Sequence, residues 1–101
     1  MRIKSSQKGN NLSIKILDKK IDNSISSKLK AEFLLLLENN VKNIEVDLSE
    51  VATCDSSGLS SLLLLQRHAA QAEGVITLLN CQENILKLIK ITKLDRVFEF
   101  K

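Results

Sequence analysis

The chain has 101 residues and a mass of 11.3 kDa, which is the size of a single domain. Apolar residues make up 44% of it and charged residues 27%, a composition that is typical of soluble globular proteins and excludes disordered and collagen-like chains. We therefore expect residues 1–101 to form one domain around one hydrophobic core.

The charge pattern argues against nucleic-acid binding. The formal net charge is +3, the basic residues are scattered, and the three Phe are accompanied by neither Trp nor Tyr for base stacking. The longest apolar run, residues 33–37, is far shorter than the roughly 20 residues that span a bilayer. The N-terminus also lacks the apolar stretch of a secretory signal. We expect a cytoplasmic protein with no membrane span that does not bind nucleic acid directly.

The two cysteines, Cys54 and Cys81, lie far apart and form no Cys-x-x-Cys pair. A zinc site needs ligands at closer spacing, so we expect no metal and no other cofactor. The two thiols are interpreted as small buried side chains in a reducing compartment.

The first predicted elements are two strands joined by a turn. A weak strand around residues 3–7 precedes the turn signal at 9–11, and residues 12–16 alternate between apolar and polar side chains. This pattern predicts a β-hairpin.

A first helix is predicted after the hairpin. The Asp-Asn-Ser segment at 22–24 offers N-caps, apolar residues recur at helical spacing over 25–37, and the asparagines at 39–40 favour a C-terminal end. Leu34 and Leu35 fall off the apolar stripe, so we expect them to be partly exposed.

The rest of the chain alternates between strands and helices. Strands are predicted at 44–48 and 75–79, helices at 56–73 and 82–91, and a closing turn with a short edge strand within 94–100. The apolar face of the 56–73 helix is predicted to consist of Gly58, Leu59, Leu62, Leu63, Leu65, Ala69, Ala70 and Ala72. In the last helix, Ile85, Leu88 and Ile89 are predicted to point inward.

This order of elements predicts an α/β fold whose mixed β-sheet opens with a hairpin. The polar alternate positions of the strands indicate that the helices pack mainly on one face of the sheet. The crossover connections between parallel strands should be right-handed.

One segment, residues 51–59 with the sequence V-A-T-C-D-S-S-G-L, departs from a simple pattern of core and surface. Asp55 or Ser56 can cap the following helix by accepting a backbone N–H bond, which puts Ser57 in its first turn. Gly58 has no side chain to obstruct another molecule or the close packing of the helix. A phosphoryl group on Ser57 would leave the fold intact and act mainly on a docked partner. The alternative is a capped turn with no further role.

The stretch 44–59, I-E-V-D-L-S-E-V-A-T-C-D-S-S-G-L, closely resembles the signature of STAS domains. The closest resemblance is to the small bacterial anti-sigma-factor antagonists. Lys20-Ile21-Asp22 before the first helix, Val75 to Asn80, and the ending over 89–98 resemble further family features in the same order. The resemblance covers nearly the whole chain and implies a mixed sheet with helices packed against it.

The resemblance implies function by partner switching. The unphosphorylated antagonist binds an anti-sigma factor that is also an ATP-dependent serine kinase, and this binding releases the sigma factor. The kinase phosphorylates a serine at the start of the second helix, here Ser57, and a metal-dependent serine phosphatase removes the phosphate. The implied partner surface corresponds to Asp22, Asn23, Ser24, Asp55, Ser56, Gly58, Leu59 and Ser60. Ser60 replaces the family's usual second glycine, which leaves the identity of the kinase open.

Two other classes fit the sequence poorly. A serine hydrolase needs a base, but the one histidine, His68, lies roughly 16 Å along the same helix from Ser57 at 1.5 Å per residue. A receiver domain phosphorylated on Asp47 would need an acidic pair and a later lysine on a repeated parallel pattern. We therefore expect no enzyme and no catalytic residue. The alternative that stays open is a non-switching STAS scaffold or a subunit of a lipid-transport or signalling complex.

Overall fold

The protein is built on a five-stranded mixed sheet, seen in a computed structural model that describes residues 3–101. In chain order the elements are β1 (Ile3–Lys8), β2 (Asn11–Ile16), β3 (Lys20–Ile21), α1 (Ser26–Leu37), β4 (Asn43–Asp47), β5 (Thr53–Cys54), α2 (Ser56–Gln71), β6 (Ile76–Leu79), α3 (Glu83–Ile91), a 3₁₀ turn (Leu94–Arg96) and β7 (Glu99–Phe100). The strand order is β1-β2-β4-β6-β7, and β3 and β5 form a separate two-stranded sheet.

The predicted hairpin is confirmed. Strands β1 and β2 pair antiparallel from Ile3 opposite Ile16 to Lys8 opposite Asn11, while β2, β4, β6 and β7 run parallel. Gly9 adopts a φ of +59° in the connecting turn, a conformation that is available to glycine without steric cost.

The helices cover one face of the sheet, as the alternation of the strands predicts. The apolar strand residues on this face are buried and join the helices in one core cluster: Leu12, Ile14, Ile16, Ile44, Val46, Ile76 and Leu78. The opposite face carries polar residues in register, with Ser13 beside Glu45 and Glu45 beside Thr77. A fold with one covered face therefore follows from period-2 patterning.

The start of α1 differs from the prediction. Its first residue is Ser26, and the preceding Ile25 provides no side-chain cap. The 22–24 segment instead forms a turn before the helix, because the Asp22 carbonyl accepts from the backbone N–H groups of Ile25 and Ser26 at 3.1 and 3.0 Å. The predicted N-caps therefore order the approach to α1 and do not cap the helix itself.

The predicted exposure of Leu34 and Leu35 is confirmed, but α1 ends two residues before the predicted stop at the asparagines 39–40. The helix ends at Leu37, and Asn40 adopts a left-handed φ of 58° shortly after it. Leu34 and Leu35 are 56% and 64% exposed.

Helix α2 matches its predicted face except at two positions. Gly58, Leu59, Leu62, Leu65 and Ala69 are buried, and Leu63 and Ala72 are half-buried. The prediction that Ala70 belongs to the apolar face is wrong. Its side chain is exposed, because it lies at the edge of the buried face of α2. Ser61 is fully buried, and its hydroxyl donates to the Gly58 carbonyl at 2.6 Å, which satisfies the buried oxygen within the helix.

The C-terminal region follows the predicted order. In α3, Ile85 and Ile89 are buried and Leu88 is half-buried. A 3₁₀ turn and the edge strand β7 follow. Within residues 3–101, none of the helices combines the length and apolarity needed to cross a membrane.

Candidate functional site

Two short parallel strands, β3 and β5, bring the predicted site residues together. Ile21 pairs with Cys54, so the next residue of each segment, Asp22 and Asp55, leaves the small sheet at the same end. The Asp55 backbone N–H donates to the Ile21 carbonyl at 3.2 Å. The sequence analysis missed both strands, because two residues are too few for an alternating pattern to register.

Asp55 caps α2 and holds the Ser57 hydroxyl. Its Oδ1 accepts from Ser57 Oγ at 2.6 Å and from the Gly58 backbone N–H at 2.9 Å, so the predicted capping role is confirmed. The hydrogen bond from Ser57, and then that from Gly58, lowers the pKa of Asp55 below its ordinary value. The exposed carboxylate is therefore ionised at neutral pH, and the half-buried Ser57 hydroxyl serves as the donor.

Asp22 forms a matching turn on the neighbouring segment. Its Oδ1 accepts from Ser24 Oγ at 2.5 Å and from the Ser24 backbone N–H at 2.9 Å. These bonds, led by the hydroxyl, lower the pKa of Asp22, while the nearby charge of Asp55 acts in the opposite direction. The backbone N–H of Asn23 lies close enough to the Asp55 carboxylate to help lower its pKa. The 22–24 turn and the start of α2 thus form one surface.

The eight residues predicted to contact a partner do not lie at the same depth. Asn23, Ser24, Asp55, Ser56 and Ser60 are exposed, and Asp22 is partly exposed. Gly58 and Leu59 are buried under the turn, and Leu59 is only 5% exposed.

Gly58 is buried because α2 approaches β3 very closely there. A Cβ atom at this position would lie 2.3 Å from the Ile21 carbonyl oxygen and 2.7 Å from Cys54 Sγ. Glycine therefore lets the helix reach the small sheet and sets the position of the Asp55 turn above it.

The two thiols are half-buried, although the sequence analysis expects them to be buried. Burial raises the pKa of Cys54 to about 12, with a further contribution from the charge of Asp55, and burial raises the pKa of Cys81 to about 11. Both are therefore protonated and poorly nucleophilic at neutral pH.

The described part of the chain, residues 3–101, contains no group of three or more His, Cys, Asp or Glu side chains arranged to hold a metal.

His68 and Asp47 have structural partners that are not among the eight predicted contact residues. His68 Nε2 lies 3.0 Å from the Val41 carbonyl oxygen, which ties α2 to the segment before β4. Asp47 accepts from the Ser49 backbone N–H at 2.9 Å and from Asn80 at 3.3 Å. Burial raises the pKa of Asp47, but the hydrogen bonds from Ser49 and Asn80 outweigh it and leave the pKa below its ordinary value.

Comparison with solved structures identifies the fold. The anti-sigma factor antagonist SpoIIAA in its unphosphorylated form has a TM-score of 0.81 and 17% identity, with coverage of 98% of this chain and 87% of that chain. The phosphorylated form of Bacillus SpoIIAA has a TM-score of 0.74 and 17% identity over 98% and 90% of the two chains. An anti-sigma-factor antagonist (STAS) domain protein from Planctomyces limnophilus has a TM-score of 0.86 and 16% identity over 98% and 87%. At these identities the likeness shows the fold alone.

Sequence comparison gives the family. A STAS-domain containing protein of Pseudomonas aeruginosa (strain UCBPP-PA14) is 37% identical over 54 residues, which are 54% of either chain. The match thus spans about half the length of this curated relative. A family model described as "Mlab, STAS domain" matches residues 5–99. Because that match covers nearly the whole chain, the protein belongs to the STAS domain family.

Proposed function

We propose that this protein is an anti-sigma-factor antagonist that switches partners through phosphorylation of Ser57. The observation that carries the proposal is the Ser57 hydroxyl, which lies at the first turn of α2, is partly exposed, and donates to the ionised Asp55 carboxylate at 2.6 Å. The proposed partner is an anti-sigma factor with an ATP-binding serine kinase domain. A metal-dependent serine phosphatase would reverse the modification.

In the unmodified state the surface offers exposed polar groups for docking. Asn23, Ser24, Ser56 and Ser60 would contact the partner directly. Gly58 and Leu59 are buried, so they would contribute indirectly, by fixing the position and direction of the turn that contains Asp55. The protein itself would perform no catalysis and would regulate transcription in the cytoplasm without contacting nucleic acid.

A phosphate on Ser57 would change the surface more than the fold. It would add about −1.5 to −2 charges next to the ionised Asp55 carboxylate. The Asp55 carboxylate would still accept from the Gly58 backbone N–H, so the N-terminal cap of α2 would remain in place. A partner pressed against the turn would meet an unmatched dianion, and each 1.4 kcal/mol of repulsion is about a tenfold loss of affinity.

The test is incubation with ATP and with each ATP-binding serine kinase encoded in the same genome, followed by mass spectrometry that localises the phosphate. We expect a phosphate on Ser57, which Ser57→Ala removes. Ser13→Ala is the matched control, because this serine is exposed on β2 and does not belong to the predicted partner surface, so the variant should keep Ser57 modified. If every kinase leaves Ser57 unmodified, the proposal is wrong.

A second candidate is a non-switching STAS subunit of a lipid-transport or signalling complex. The matching family model supports this alternative, because its description names Mlab and does not name an anti-sigma-factor antagonist. In that case Ser57 stays unmodified in the cell, and Ser57→Ala and wild-type protein bind the same partner equally well.

A further inference from the structure

The outer face of the sheet, which points away from the helices, is a candidate interaction surface. Alternate residues of the strands form it, with Ser13, Glu45 and Thr77 side by side in its central row. Ser13 and Glu45 are exposed. Four of the five strands are parallel, and parallel strands usually have both faces covered. Two depressions of about 380 and 310 Å³ lie on this face.

Charged side chains divide the outer face into a basic half and an acidic half. The basic half consists of Lys4, Lys8 and Lys15 on β1 and β2, and the acidic half consists of Glu45 and Asp47 on β4. Lys4 lies directly opposite Lys15, and two like charges in this position cost stability. Acidic groups placed above the lysines would offset that cost. The acidic half would gain in the same way from basic groups above it.

This charge pattern is complementary to itself about one two-fold axis. An axis parallel to the strands, between β2 and β4, stacks β2 of one copy on β4 of a second copy. The register of the sheet then puts Lys15 over Asp47 of the second copy. In the central row it puts Ser13 over Glu45 of the second copy. Each contact occurs twice, as it must in an interface that uses the same patch on both copies.

Other two-fold arrangements of the same face bring like charges together. An axis along β2 puts Lys15 over Lys15 of the second copy, and an axis along β4 puts Asp47 over Asp47. An axis across the strands, through the central row, puts Lys4 over Lys8 and Glu45 over Glu45. Like charges that face each other oppose docking, so the pattern selects one arrangement.

We propose that the outer face is the interface of a two-fold homodimer in which β2 of each copy stacks on β4 of the other. The face belongs to the broad side of a molecule that measures 32 × 29 × 19 Å, and a standard interface covers about 800 Å² per partner. Its size therefore suits a dimer. Ser57 lies on α2, which packs against the opposite face, so each copy keeps its Ser57 surface free.

The test is sedimentation of the full-length protein over a range of concentrations, at low and at high salt. We expect a dimer at low salt that dissociates as salt rises, because the contacts are mainly polar and charged. Lys15→Glu should be monomeric, since it puts a carboxylate over Asp47 of the second copy. Lys28→Glu, the same change at an exposed position on α1, is the matched control and should stay dimeric.

A charge exchange identifies the contact itself. Asp47→Lys should be monomeric on its own, but an equimolar mixture with Lys15→Glu should form a heterodimer, because both facing pairs then carry opposite charges. Asp47 also accepts from the Ser49 backbone N–H, so a second variant is needed that leaves the fold alone. Ser13→Glu serves here, since the Ser13 side chain makes no hydrogen bond within residues 3–101. It puts a carboxylate over Glu45 of the second copy and should weaken the dimer.

Three results would overturn the inference. The first is a protein that stays monomeric at every concentration and salt. The second is a dimer that Lys15→Glu and Ser13→Glu leave intact, since such a dimer uses another face. The third is a mixture of Lys15→Glu and Asp47→Lys that stays monomeric although both variants are folded. The Ser57 switch is judged separately, because its readout is the phosphate on Ser57.

Discussion

At Gly58 the backbone of α2 comes so close to β3 and β5 that no side chain fits. The site of a methyl group there lies 2.3 Å from the Ile21 carbonyl oxygen, a backbone atom that cannot move without displacing the strand. This one position sets the distance between α2 and the small sheet. It therefore also sets where Asp55 presents the Ser57 hydroxyl.

We expect Gly58→Ala to destabilise the protein by about 1–3 kcal/mol, the usual cost of overpacking. The loss should exceed the gain of about 1 kcal/mol that alanine brings to a helix interior. The measurement is urea unfolding followed by circular dichroism. Ser60→Ala, at an exposed position two residues further along α2, is the control and should change little. A Gly58→Ala protein as stable as the wild type would contradict the close approach.

Helix α2 ends in a Schellman motif built around a residue other than glycine. The Gly74 backbone N–H donates to the Ala69 carbonyl at 2.8 Å, and the Glu73 N–H donates to the Ala70 carbonyl at 3.1 Å. Glu73 adopts a left-handed φ of 59° to make this possible. Left-handed backbone is costly for a residue with a Cβ atom, so the end of α2 is strained at one position.

We expect Glu73→Gly to stabilise the protein by about 0.5–1 kcal/mol, because glycine adopts the left-handed conformation without that cost. Ala70→Gly is the matched control with the opposite sign. It lies in the same helix end with an exposed side chain, and removing its methyl group should destabilise the helix by about 0.5–1 kcal/mol. The midpoints of thermal unfolding of the two variants should move in opposite directions. A lower midpoint for Glu73→Gly would show that its side chain matters more than its backbone.

The whole molecule is two layers, with extents of 32 × 29 × 19 Å. One buried cluster joins the covered face of the sheet to the three helices. In α1, residues of the same type differ greatly in exposure, because only one side of the helix faces the core. Leu29 is 0% exposed, while Leu35 is 64% exposed. The stability of the molecule therefore depends on the inner stripe of each helix.

We expect Leu29→Ala to cost about 2–5 kcal/mol, the range for buried leucines that leave a cavity. This is a large part of the roughly 5–15 kcal/mol by which single domains are stable. Leu35→Ala, the same substitution on the exposed side of α1, should stay within about 0.5 kcal/mol of the wild type. Chemical denaturation of both variants provides the measurement. Similar losses in the two would mean that α1 packs with a different face inward.

The order of the main elements and the face that each one buries can be predicted from local amino-acid patterns. Alternation over residues 12–16 and 44–48 identified strands with one covered face, and helical spacing identified α1, α2 and α3. Local rules also narrowed the cap of α2 to Asp55 or Ser56, because a capping bond spans only three residues, and the structure shows that it is Asp55. These features could be predicted because the signal lies within a few residues of the element it describes.

The assembly of the candidate site, in contrast, depends on contacts between segments that are distant in sequence. The pairing of β3 with β5, the approach of the Asn23 backbone N–H to the Asp55 carboxylate, and the exclusion of a side chain at Gly58 all join segments more than 30 residues apart. A two-residue strand is too short to show an alternation of apolar and polar side chains. The sequence at Asp22 resembles an ordinary helix N-cap. Where α1 begins and how deep Gly58 lies depend on long-range packing, which local spacing does not encode.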